Sequence, residues 1–266
     1  MMKRLALGLL VAVLVSGCGG SGSDDAEVRS GDGPTSKAST GASGDASAEG
    51  SDEPGSATPS RSEMLSIKGD LQIPDGDEGE LSIVVVGKPQ SGTDTVPVIV
   101  RNRTSEPLAG IEVTGTARSA AGALVGSGSS QGFAPDLVQP GEWAVGYVYF
   151  DSGKLKDDTE YDLTATGSDP DDFLSSIDVK VVEVSRTKGQ FGEQLVGIVE
   201  NDTDAEVGGP IDVMVACFDK AGQLLTTNTG FVEGDSLPAG GTGSFSVDLF
   251  DDPCENWAIG SSGYNF

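Results

Sequence analysis

The sequence predicts an all-β fold, two tandem β-sandwich domains after a disordered tether, and three observations carry that expectation. Beyond residue 63, Val, Ile and Thr are dense and alternate with polar residues at a period of two, the pattern of half-buried strands. Gly, Pro, Asn and Asp punctuate these runs, while the three- and four-residue apolar spacing of a helix is scarce. A set of residues also recurs roughly a hundred positions later, which divides the region into two units, 64–168 and 169–266.

At the amino end, Lys3 and Arg4 precede an apolar run from Leu5 to Val15, which is of signal-peptide length and short for a bilayer span. Ser16 and Gly17 stand directly before Cys18. Val15, Ser16, Gly17 and Cys18 resemble the lipobox of bacterial lipoproteins, with Val15 where that family most often has Leu. The resemblance implies that residues 1–17 are a lipoprotein signal peptide and that the Cys18 thiol is alkylated with a diacylglyceryl group whose acyl chains are fatty acids such as palmitate. The chain is then lipid-anchored to the cell membrane on its extracytoplasmic face. Each buried methylene contributes about 0.8 kcal/mol, so two or more acyl chains hold firmly where one does not. A plain secretory signal or an uncleaved anchor is the other reading.

Residues 18–63 are almost wholly Gly, Ser, Ala, Asp, Glu, Pro and Thr, with no aromatic residue. Such a segment cannot bury enough apolar surface to offset its ordering entropy and is expected to be disordered. As a flexible coil it spans on the order of 35–40 Å and makes the folded part stand off the bilayer.

Within the folded region, Glu80 to Val86, Val96 to Val100, the pair Ile111 and Val113, and the alternation Val145, Tyr147, Tyr149 read as strands. Val100, Asn102, Thr104, Ile111, Val113, Gly122, Leu137, Gly141, Phe150 and Asp151 recur as Val199, Asn201, Thr203, Ile211, Val213, Gly222, Leu237, Gly241, Phe250 and Asp251. On this spacing Val145, Tyr147 and Tyr149 match Phe245, Val247 and Leu249 as the dry face of one strand. The units should meet near Ser168 to Asp172, through a connection short enough to restrict their angle.

Gly197, Val199, Glu200, Asn201, Asp202, Thr203, then Ile211, Val213, Val215, then Phe218, Asp219, Lys220, Gly222, Leu224, and later Leu237, Gly240, Gly241 resemble the pattern of FxLYD-type domains. These are immunoglobulin-like β-sandwich modules of bacterial lipoproteins and surface proteins, and the likeness covers about 70 residues of each unit. It implies two immunoglobulin-like domains with an interaction or envelope role. In mechanical terms, Asn201 and Thr203 open a turn, Asp219 to Gly222 close a hairpin, and Leu237 with its glycines turns the chain again. The first unit is the weaker match, with Ser119 to Gly122 in place of the acidic tip.

With Cys18 assigned to lipid, Cys217 and Cys254 remain as an even pair within one unit in an oxidising compartment, and a disulfide between them is expected. Two inert thiols are the alternative. The first unit lacks such a staple and should unfold first.

Catalytic parts are conspicuously few. The chain has no histidine, which removes Ser-His-Asp and Cys-His arrangements and imidazole zinc sites. Gly126, Ser127 and Gly128 lack the lysine and helix of a phosphate loop. The expectation is that the protein is not an enzyme. Its net charge is −26, and from Met64 onward 33 acidic residues face 11 basic ones, so nucleic acid and anionic lipid are poor partners while cations are attracted. Asp75 and Asp77 before the first strand, and Asp169, Asp171 and Asp172 at the junction, are candidate ligands for Ca²⁺, a hard cation that gathers oxygens. A solvated acidic face explains the same clusters, and the EF-hand spacing from Asp75 fails at Val86. Trp143 and Trp257 read as core covers. Together these point to a lipid-anchored binding or scaffolding module of the cell envelope that meets an envelope protein or wall component through loops and strand edges. The alternatives are a calcium-stiffened spacer and an accessory subunit of an envelope enzyme.

Overall fold

Fifteen strands and no helix form the regular structure among the residues that the computed structural model describes, 64–90, 93–151, 155–170, 176–250 and 252–264. Cys18, the expected leader and the expected tether lie outside those residues, as do Asp171 and Asp172. The strands are β1 (Ser66–Lys68), β2 (Leu81–Val86), β3 (Thr95–Asn102), β4 (Ala109–Arg118), β5 (Leu124–Ala134), β6 (Trp143–Phe150), β7 (Glu160–Ser168), β8 (Ser176–Asp178), β9 (Lys180–Gly189), β10 (Gly192–Glu200), β11 (Val207–Phe218), β12 (Leu224–Val232), β13 (Ser236–Leu237), β14 (Thr242–Asp248) and β15 (Asn256–Tyr264).

Two antiparallel sheets result, each curled nearly into a barrel. The first runs β2-β3-β6-β5-β4-β7 and the second β9-β10-β14-β12-β11-β15, the same order strand for strand. β1 and β8 add to the outer edge of β15, β1 at Trp257 to Ile259 and β8 at Ser262 to Tyr264. Residues just before the first sheet therefore complete the edge of the second. Covering that edge removes an open row of backbone donors and acceptors.

Matching hydrogen bonds correct the residue correspondence read from the sequence. The Asn102 amide donates to the carbonyls of Glu106 and Val138, and the Asn201 amide to those of Ala205, Leu237 and Pro238. Val138, not Leu137, is thus the counterpart of Leu237. Gly141 N–H donates to Asn102 O as Gly240 N–H donates to Asn201 O, and Phe150 N–H bonds Asp94 O as Leu249 N–H bonds Glu193 O. Phe150 therefore matches Leu249, and both are wholly buried, whereas Phe250 is 60% exposed. The hairpin tips agree as expected, with Gly122 bonded to Ser119 and Gly222 to Asp219. Irregularities in pairing within both β4 and β11, and within β5, shift the spacing back and forth by one residue.

That shift changes which face of β6 is which. Ala144, Val148 and Phe150 join the core enclosed by the first sheet, with Val96, Val98, Val100 and Val113. Phe245, Val247 and Leu249 join the core of the second, with Leu195, Ile211, Val213, Val215 and Trp257. Val145 and Tyr147, expected to match Phe245 and Val247, face the other way, and Tyr149 is 48% exposed. At Gly146 a Cβ would lie 2.6 Å from the Phe133 ring, so Phe133 fills from β5 the space that Phe245 fills from its own strand.

A third core lies between the sheets. Ile99, Trp143 and Val145 from the first meet Met214, Ala216, Phe218, Leu224 and Ala258 from the second, with Leu65 added from the segment before β1. Phe218 and Leu224 are essentially inaccessible to solvent, and burying side chains of this kind contributes about 1.5–3 kcal/mol each. A Cβ on Gly260 would come within 2.8 Å of the Ala134 Cβ, so glycine there lets the sheets approach. A packed apolar layer therefore fixes how the two sheets meet, and part of the expected connection, residues 171–175, lies outside the described residues.

Candidate functional site

The third core opens to solvent at one end as a cleft of about 270 Å³. Its floor is the outer face of the second sheet. Strand register sets Asp212 between Phe231 on β12 and Ser262 on β15, and Met214 opposite Thr229. Facing partners across a sheet lie about 4.5–5.5 Å apart, so the Asp212 carboxylate has a ring on one side and a hydroxyl on the other. Tyr147, Gln131 to Ala134 and Asp136 line the cleft from the first sheet, and Tyr264 lines it from β15. Phe231 is 59% exposed, although it is a large apolar side chain at a concave site.

The electrostatics are uniformly acidic. Among the described residues no Lys or Arg lines the cleft. Burial pushes the Asp212 carboxyl above its ordinary value, and among the described residues no cation or hydrogen-bond donor reaches it to offset that. Burial also raises Asp136, against hydrogen bonds from Ser176 and the Gly110 backbone. Tyr147 is raised by burial and by the neighbouring Asp212 charge.

Beside the cleft the two sheets are clamped. Asp178, on β8, accepts from the N–H groups of Asp136 (2.8 Å) and Leu137 (2.9 Å) in the loop after β5. Burial raises its carboxyl to about 7, the two N–H groups oppose the shift, and the charges of Asp136 and Glu142 add to it.

Compared with known proteins, the chain matches no family model, no curated protein and no solved structure. The cleft's chemistry is therefore read from its own residues.

Among the residues singled out from sequence, Cys217 and Cys254 are joined at 2.03 Å across a separation of 37 residues. Asp75 is the partner of Arg101, whose guanidinium also holds the carbonyls of Ile73 and Pro74 and, through Nε, that of Gly141. Those bonds fasten the segment crossing between β1 and β2 and use the donors that border a second recess of about 570 Å³. The Asp77 N–H donates to the Ser82 hydroxyl. Among the described residues no three carboxylates, thiols or imidazoles gather as metal ligands, so Asp75, Asp77 and Asp169 are not brought together. Trp257 sits in the second core with the Lys68 ammonium 4.2 Å from its ring, while Trp143 packs between the sheets.

The cleft residues were not singled out from sequence. One signal for them exists: Asp212 interrupts Ile211, Val213, Met214, Val215 and Ala216, a strand that is apolar on both faces. An acid in such a run marks where a doubly buried strand reaches solvent.

Proposed function

We propose that this protein is a non-catalytic, lipid-anchored binding module on the extracytoplasmic face of a bacterial cell membrane. Cys18 is its acylation site, and two immunoglobulin-like sandwiches of the FxLYD type form its folded part. The reading of two such domains is supported by the identical order of six strands in both sheets and by the repeated Asn-x-Thr turn. The observation that carries the binding role is the cleft, where an exposed Phe231 ring adjoins an Asp212 carboxylate lacking a partner among the described residues. A solvent-facing ring beside a desolvated charge is costly in isolation and is recovered when a ligand covers both. The absence of histidine from the sequence supports recognition over catalysis. The partner is an envelope protein or wall component.

Two measurements test this. Growth with an alkynyl fatty acid should label the wild-type chain and leave Cys18→Ala unlabelled and released from membranes; equal labelling of both rejects the anchor. Photocrosslinking on intact cells from a probe placed at Thr229, on the cleft rim, should return one recurrent partner. Capture of only lipid and abundant bystanders rejects the binding role.

A further inference from the structure

We infer that the cleft between the sheets binds an alkylammonium group, carried by a lysine side chain of a protein or by a free polyamine. Asp212 supplies the counter-charge, and Tyr147, Phe231 and Tyr264 bound the apolar stem. The inference deepens the binding-module reading and rests on it.

Five observations converge on this ligand class. The Asp212 carboxylate is partly desolvated, and none of the described residues offers it a cation or a donor. A ligand bearing positive charge completes it, and an anion is repelled by it and by Asp136 on the facing wall. The register pairing of Asp212 with Phe231 puts an exposed ring beside that charge, where a cation gains from both. A bare metal ion uses neither the rings nor the Met214 wall, and among the described residues no three carboxylates meet to ligate one. The volume of about 270 Å³ suits a side chain or small amine and is too small for a folded segment. The −26 net charge raises the local concentration of any such cation.

The test is titration of the full chain with n-butylammonium, with spermidine and with the peptide Gly-Lys-Gly, read by calorimetry and by ring resonances of Tyr147, Phe231 and Tyr264. Saturable binding with shifts at these rings is expected. Asp212→Asn should weaken it about tenfold or more. Asp204→Asn, which removes the same charge from an exposed loop, should change it less than about twofold. Phe231→Ala, at an exposed position, serves as the second variant and should weaken binding severalfold even if Asp212→Asn folds poorly. Tighter binding of spermidine than of the peptide identifies a free polyamine, and the reverse identifies a lysine side chain. No saturable binding, or equal loss in Asp204→Asn and Asp212→Asn, overturns the inference. If Asp212→Asn on cells still captures the same crosslinked partner, the module reading survives and the cleft assignment falls alone.

Discussion

Asn201 is wholly buried and still uses every polar atom: its carbonyl accepts the Thr203 N–H and hydroxyl, and its amide serves the carbonyls of Ala205, Leu237 and Pro238. Asn102 does the same work in the first sheet. Replacing either with Ala strands several buried carbonyls, so a loss of about 2–4 kcal/mol is expected in urea unfolding. A loss under about 0.5 kcal/mol would contradict this bonding. The turn role of these residues was legible because Asn-x-Thr acts locally. Their long-range bonds were not, since the recipient carbonyls lie 36 residues on. Asp178 supplies a pH dependence with a definite sign. Its carboxyl is raised from 3.8 to about 7, so the folded state keeps a proton that the unfolded chain releases between those values. Its stabilising contribution is full below pH 3.8 and is lost as pH rises through about 7. The melting temperature should therefore fall from about pH 5 to pH 8, and Asp178→Asn should flatten that slope. Asp136 and Asp212, also raised, leave a residual slope of the same sign. A slope unchanged in Asp178→Asn would refute the assignment.

Strand by strand, residue alternation identified the elements and misjudged one face. In β14 Ser244 and Ser246 flank Phe245 and Asp248 follows Val247, and the wet face is obvious. In β6 the run Trp-Ala-Val-Gly-Tyr-Val-Tyr-Phe is apolar throughout, which signals burial on both faces. Alternation has no vote on such a strand, and the one-residue drift of the repeat then selected the wrong set. The disulfide belongs to this scale because it ties the end of β11 to the segment entering β15. Constraining a loop of that length stabilises the fold by roughly 3–4 kcal/mol in the chain-entropy model. Reduction should lower the urea midpoint accordingly, and an unchanged midpoint would show that the bridge has no part in stability.

For the whole molecule, the layer between the sheets alters the unfolding expected from sequence. An unstapled first unit was expected to melt before the second. Since Phe218, Leu224, Ile99 and Val145 belong to a core that neither sheet completes alone, the folded region should instead melt in one transition. Phe218→Ala should lower that transition as a whole, by about 3–5 kcal/mol, and two separated calorimetric peaks in the wild type would reject the coupling. Local rules carry the all-β class, the repeated pattern, the hairpin tips and the pairing of Cys217 with Cys254, because each depends on neighbours in the chain or on a count. Tertiary structure alone decided the edge strand lent by β1, the core between the sheets and the cleft where that core opens. Those features bring together residues as distant as Tyr147 and Tyr264, and juxtaposition of that kind depends on packing energy, which no stretch of sequence displays by itself.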